Sequence, residues 1–278
     1  MKTRIKFSKG GVLRYIGHLD LMRYFQKAMR RADIPIAYSE GFHPHQRMAF
    51  ALPLGVGMTS EGEYMDVLLD DDILKDSIYK TKGSDASDTS NGFDFKKACE
   101  ALNQTMADGI RILEFAPLPE KSSKAMASVV RASYYVYFKK ADFTNYDKLC
   151  EAQKSRFSNV PSMIIEKKTK KSVREVDLAP HIYEFETIII DDALRQHMEK
   201  FLPDHENNGF LLNNGDPLIK LSLSHGSEEN IKPDLFLSYL LQKDIDEVST
   251  SIGCHRIELF MYDEEGALSP LIKNVKKQ

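Results

Sequence analysis

Cysteine is scarce in this chain, and its placement excludes more than its number. Cys99, Cys150 and Cys254 are odd in count, far apart and form no CxxC pair. They support neither a disulfide framework nor a zinc ribbon. No CxxxCxxC occurs, so the chain by itself cannot hold a three-cysteine iron–sulfur cluster. Long apolar runs are also missing. None approaches the ~20 residues that span a bilayer, so no membrane partner is expected. The segment Met1-Lys2-Thr3-Arg4-Ile5-Lys6-Phe7 is basic but lacks the apolar stretch of a signal peptide. A cytoplasmic protein is the simple expectation. Ready-made catalytic signatures are absent as well: there is no P-loop, GxSxG or HExxH. Gly55-Val56-Gly57 lacks the third glycine and the strand-to-helix setting of a dinucleotide loop.

What is present is enough for two cores. The 278 residues are 42% hydrophobic and 28% charged, which suits roughly two domains of ~100–150 residues. The Pro117-Leu118-Pro119 segment divides them into residues 1–120 and 121–278. The net charge of -3 hides an asymmetry. Residues 1–50 carry ten Lys and Arg against Asp20, Asp33 and Glu40, a local excess of +7, and 61–94 is strongly acidic. A local basic face says more about partners than the overall balance does.

Hydrophobic periodicity gives the element order. Thr3 to Ser8 reads as a strand. Leu19 to Ala32 reads as an amphipathic helix, with Leu19, Met22, Phe25 and Met29 opposite Arg23, Lys27 and Arg30. Ile36 to Tyr38, Met48 to Leu52 and Tyr64 to Leu69 are strand-like. Lys80 to Gly92 reads as a polar loop, Phe93 to Met106 as a helix and Ile110 to Phe115 as a strand. The order β-α-β-β-α-β is the ferredoxin-like split βαβ pattern, an α+β fold with an antiparallel sheet and both helices on one face. The second half is again α+β and suggests a degenerate second copy. Its strands are expected near Ser133–Phe138, Met163–Lys168, Val173–Leu178, Tyr183–Ile190, Leu218–Leu223 and Ile257–Tyr262. Helices are expected near Tyr146–Arg156, Asp191–Phe201 and Pro233–Gln242, with a basic tail at Lys273–Gln278.

Three groups of residues carry chemistry. His18, His43 and His45 are potential metal donors, but the extended His43-Pro44-His45 segment suits a structured turn satisfied by its own hydrogen bonds. Asp20, three residues before Arg23, reads either as a helix-start acid with an i,i+3 partner or as a functional carboxylate. Glu61, Glu63 and Asp66 form an acidic cluster that reads as a general acid/base pair or as solvated strand acids. The cations Arg23, Lys27, Arg30, Arg31 and Arg47, with Lys167, Lys168, Lys170, Lys171 and Arg174, suit phosphate contact. Tyr15, Tyr24, Tyr38 and Phe42 suit base stacking.

The stretch Arg14-Tyr15-Ile16-Gly17-His18-Leu19-Asp20-Leu21-Met22-Arg23 continues with Arg30-Arg31-Ala32, Ile34-Pro35 and Ser39-Glu40-Gly41-Phe42-His43-Pro44-His45. It then runs through Phe50-Ala51-Leu52-Pro53-Leu54-Gly55-Val56-Gly57 to Ser60-Glu61-Gly62-Glu63-Tyr64-Met65-Asp66. These residues resemble the radical SAM-associated domain-of-unknown-function family, densely over about the first seventy positions and more loosely at Val176-Asp177-Leu178-Ala179-Pro180. The resemblance implies an accessory protein with a separate radical SAM protein as partner. The partner would carry any iron–sulfur cluster, SAM or cobalamin, and this chain would bind no cofactor or metal itself. The chain departs from the family pattern at His43 and at Gln46-Arg47, which lowers the weight of His43 as a ligand. His18, Asp20, Arg23, Gly41, Phe42, Pro44, His45, Glu61, Glu63 and Asp66 match it. With Arg30 and Arg47 they form the candidate binding set, and the substrate expected is RNA. Two other readings stand beside this one: an RNA- or nucleotide-processing enzyme using His18, Asp20 and the acids, and a structural interaction module packed around Phe42.

Overall fold

A computed structural model describes residues 1–80, 92–139, 151, 162–168, 173–204, 208–226 and 229–272. The protein is mixed α+β, with mostly antiparallel sheet and, among the described residues, seven α-helices. It divides into two compact units, Met1–Val129 with Leu259–Gln278, and Val130–Glu258.

The first unit is built on β1 (Lys2–Lys9), β2 (Met48–Phe50), β3 (Thr59–Leu68) and β4 (Ile110–Pro117). β4 and β3 flank β1, and β2 lies on β3; every neighbouring pair is antiparallel. The helices are α1 (His18–Arg31), α2 (Asp71–Lys75), α3 (Phe95–Thr105) and α4 (Ala125–Ser128). The apolar stripe of α1 (Leu21, Phe25, Met29) and that of α3 (Ala98, Leu102) join Ile5, Phe7, Met65, Val67 and Ile112 in one core. Both helices therefore cover one sheet face. Phe7, Phe25 and Phe50 meet at centroid separations of 4.8, 5.8 and 5.7 Å. Burying each ring contributes roughly 2–3 kcal/mol.

A Schellman motif ends α1. Asp33 takes a left-handed φ of 50°, while Ile34 N–H reaches Met29 O at 3.0 Å and Asp33 N–H reaches Arg30 O at 3.3 Å. Pro35 thus follows the stop rather than causing it. At the far end of β1, Gly10 N–H donates to Gly109 O at 2.7 Å. Gly109 has a φ of +99°, and a Cβ there would stand 2.5 Å from Gly10 O. Only glycine lets the two backbones approach this closely.

In the second unit the strands are β5 (Arg131–Phe138), β6 (Ile164–Lys168), β7 (Val173–Asp177), β8 (Ile182–Ile189) and β9 (Pro217–Ser224). β9 lies between β5 and β8, antiparallel to both, and β6 pairs with β7 in a separate hairpin. The helices are α5 (Asp192–Glu199), α6 (Pro233–Leu241) and α7 (Ile245–Ser251). The chain leaves through β10 (Ile252–Tyr262), whose last residues belong to the first unit and pair with β11 (Leu268–Pro270).

Several elements differ from the sequence reading. Ile36 to Tyr38 forms no strand, only isolated bridges from Ile36 to Leu69 and Tyr38 to Gln46. β3 begins at Thr59, so Glu61 and Glu63 lie within a strand rather than before one. The short helices α2, α4 and α7 were not expected. Most of the expected loop at 80–92, most of the helix at 146–156, the turn beyond Lys168 and the tail at 273–278 lie outside the described residues.

Candidate functional site

The sequence candidates fall into separate places. Asp66 is a structural acid. The buried Arg4 donates Nε to its Oδ1 at 2.6 Å and Nη2 to its Oδ2 at 3.3 Å, and Ala125 N–H donates to Oδ2 at 2.7 Å. The remaining guanidinium bonds go to Leu271 O and Ser123 O. Asp66 therefore ties β1, β3, the start of α4 and the Leu271 segment together, and it is not a solvated acid. Glu63 is also buried. Burial holds the Lys9 ammonium below its ordinary pKa, and the Glu63 charge opposes that shift. Lys9 Nζ donates to Ile16 O at 3.0 Å and Arg14 O at 3.4 Å. It thereby fixes the 3-10 turn Gly11–Tyr15 and the chain entering α1. Glu61 is half-buried on the same strand.

His18, Asp20 and Arg23 occupy the exposed start of α1. The His18 ring packs edge-on against Phe50 at 5.3 Å. Arg23 reaches Asp20 at 3.3 Å, the exposed i,i+3 pair expected of a first-turn acid. His45 lies elsewhere. It precedes Phe50 by five residues of largely extended chain, a span of roughly 16 Å at strand rise. Among the described residues, His18, His43 and His45 do not gather into a metal-holding group.

The remaining candidates share one edge of the first unit. Residues 39–45 form a loop closed at its base. Ser39 N–H donates to His45 O at 2.8 Å, His45 N–H to Ser39 Oγ at 3.0 Å, and Ser39 Oγ and His45 Nδ1 lie 2.7 Å apart. His45 is thus a clasp of the loop. Gly41 supplies the turn with a φ of +105°. Phe42, at the tip, is fully exposed. Beyond the clasp, exposed Arg47 is anchored by its backbone, donating to Ala37 O and accepting from Leu68 N–H.

Behind the loop lies an open depression of about 610 Å³. Arg30 and Tyr38 line it with Asp33, Asp76 and the apolar side chains of Ile34, Ile73 and Ile78. Arg23, Lys27 and Arg30 run along exposed positions of α1 toward it, about 10 Å of helix rise. The local charge excess is smaller at the surface than in the sequence. Arg4, Lys9 and Arg14 are buried, Arg23 faces Asp20, and Arg31 donates to Thr105 O. Lys27, Arg30 and Arg47 are exposed.

In the second unit the basic hairpin has its own employment. Lys167 and Arg174 both pair with buried Glu229, Arg174 at 2.6 Å, and Lys167 also reaches Asn230 O. Burial raises the Glu229 pKa, but Lys167 and Arg174 outweigh it and leave the carboxyl below its ordinary value. Lys170 and Lys171 lie outside the described residues. Sequence reasoning missed the polar group beside it. Buried His225 shares a hydrogen bond with Tyr134 Oη at 2.8 Å, and Arg256 lies 5.6 Å from the Tyr134 ring centroid. Burial first, then the Arg256 charge, lower the His225 pKa to about 3 against the pull of Asn230. Nothing local in the sequence marks these residues, because they come from different strands and loops.

A protein-family model described as an uncharacterized protein conserved in bacteria (DUF2344) matches residues 2–82 and 86–233. Among curated proteins, none matches the chain.

Proposed function

The chain belongs to the bacterial family DUF2344, and from that premise we propose a binding accessory whose first unit holds single-stranded RNA at the Ser39–His45 loop. The observation that carries this reading is the fully exposed Phe42 on a loop clasped at its base, beside exposed Arg47 and the Arg30–Tyr38 depression. An aromatic ring held out on a closed loop is a stacking platform, worth roughly 1–3 kcal/mol per base. Lys27, Arg30 and Arg47 supply phosphate contacts, and Asp33 and Asp76 supply acceptors for exocyclic amino groups of a base in the depression. Gly41, Pro44 and His45 shape this face, while His18 stands apart from it against Phe50.

The enzyme reading is weaker because Glu63 faces Lys9 inside the core and Asp66 is committed to Arg4. A radical SAM protein as partner, with its iron–sulfur cluster, SAM or cobalamin, rests on the resemblance of the His18–Asp20 and Gly41–His45 segments. The pseudo-duplicated ferredoxin-like architecture is supported by strand order: β10-β5-β9-β8 in the second unit repeats the β4-β1-β3-β2 order of the first.

Fluorescence anisotropy with a labelled single-stranded RNA of mixed sequence tests the RNA part. Salt-dependent binding that weakens in Phe42→Ala and Arg47→Ala supports it, and no binding at low salt removes it. Co-purification with a radical SAM protein encoded beside this chain tests the partner; a clean negative removes that claim alone.

A further inference from the structure

Two histidines of the second unit face one another. His197 stands in the last turn of α5, and His255 lies on β10. Their ring centroids are 6.4 Å apart with the planes at 86°, and each offers a ring nitrogen within 4.8 Å of the other. The rings are held by aromatic walls. Phe201 packs at 4.6 Å from His255 and 5.5 Å from His197, and Tyr135 stacks on His255 at 6.4 Å and 18°. His255 is fully buried and His197 half-buried, so the pair opens on the His197 side.

We propose that His197 and His255 together bind one divalent transition-metal ion of the zinc, cobalt or nickel kind. Imidazole nitrogen suits these borderline ions. At a zinc–nitrogen distance of ~2.0–2.1 Å, two nitrogens on one ion stand about 3.4 Å apart in a tetrahedron. The C-terminal end of a helix carries a partial negative charge of about half an electron, which favours a cation beside His197. Polar donors inside an apolar wall also match the environment that tunes metal centres. Cys254 is excluded as a further ligand, because alternation along β10 turns it to the opposite side of the strand from His255. The two histidines supply two of the ion's ligands.

The experiment uses the full chain, freed of metal with a chelator and titrated with Co(II) and then Zn(II). The expected result is one equivalent of Co(II) with visible ligand-field absorption, displaced by Zn(II). His197→Ala and His197→Gln are each expected to lower the affinity by about tenfold or more. His181→Ala, outside the pair, is expected to bind as the parent does. Circular dichroism melts show whether the variants remain folded, and having two of them guards against one that does not. Absence of a stoichiometric site in the parent overturns the proposal. So does equal affinity in a folded His197→Ala or His197→Gln.

Discussion

Acidification is expected to loosen the second unit through His225. The residue is buried, shares its Nε2 hydrogen bond with Tyr134 Oη, and has its pKa lowered to about 3 from an ordinary 6.5. The sign follows from proton counting. Above pH 6.5 both the folded and unfolded states hold a neutral imidazole, and His225 makes no pH-dependent contribution. Between pH 6.5 and pH 3 the unfolded chain takes up a proton that the folded chain refuses, so stability falls as pH falls. At 1.36 kcal/mol per unit the loss reaches about 2 kcal/mol at pH 5 and about 5 kcal/mol at pH 3. Against a typical total of roughly 5–15 kcal/mol, one histidine would remove much of the margin. Hydrogen exchange of the β5 and β9 amides, corrected for intrinsic rates, reads this opening free energy at pH 7 and pH 5. The comparison is with His225→Asn, which keeps a polar partner for Tyr134 but no titration in this range. The parent is expected to lose about 2 kcal/mol more than the variant over that interval. Equal losses would refute the reasoning, because the other titrating groups are common to both proteins.

Two acids of the first unit should differ sharply in cost. Asp66→Ala strands the Arg4 guanidinium, buried at 2% exposure, and should cost about 3–5 kcal/mol in urea unfolding. Asp20→Ala removes only an exposed pair and should cost under about 1 kcal/mol. Gly109→Ala should destabilise by more than about 1 kcal/mol, since it combines a φ of +99° with a 2.5 Å approach to Gly10 O; an unchanged melting temperature would count against the close-approach argument. Phe42→Ala should leave stability within about 0.5 kcal/mol, because its ring is fully exposed, and any larger loss in a thermal melt would mean that the ring packs on the protein.

Local rules made much of this fold readable before its tertiary contacts were known. The spacing of Leu19, Met22, Phe25 and Met29 places α1, but Leu19 is exposed and Leu21 joins Phe25 and Met29 in the core with Phe7 and Phe50, so the buried stripe is rotated from the one the sequence suggests. Asp191, Asp94 and Asp70 each cap a helix by accepting a backbone N–H, but the helix after Asp70 is too short for periodicity to reveal. The chemical roles were harder to read. Asp66 and Glu63 look like solvated acids in sequence, and only the arrival of Arg4 and Lys9 from β1 shows their employment. Tyr134, His225 and Arg256 are separated by many residues and follow no spacing rule. The Gly41-Phe42 turn was legible, because a glycine before an aromatic between two strand-like segments calls for a tight turn. The Ser39–His45 clasp that closes the loop at its base follows no spacing rule.

RNA binding at the Ser39–His45 loop is read out by the salt dependence of single-stranded RNA affinity in the parent, Phe42→Ala, Arg30→Ala and Arg47→Ala. Each arginine variant is expected to lower the slope of log affinity against log salt by about 0.7, the value for one phosphate contact on a single strand. Phe42→Ala is expected to weaken binding by about 1–3 kcal/mol with the slope unchanged, as loss of a stacked base requires. Binding that is absent at low salt, or equal in all four proteins, would contradict RNA binding at this loop.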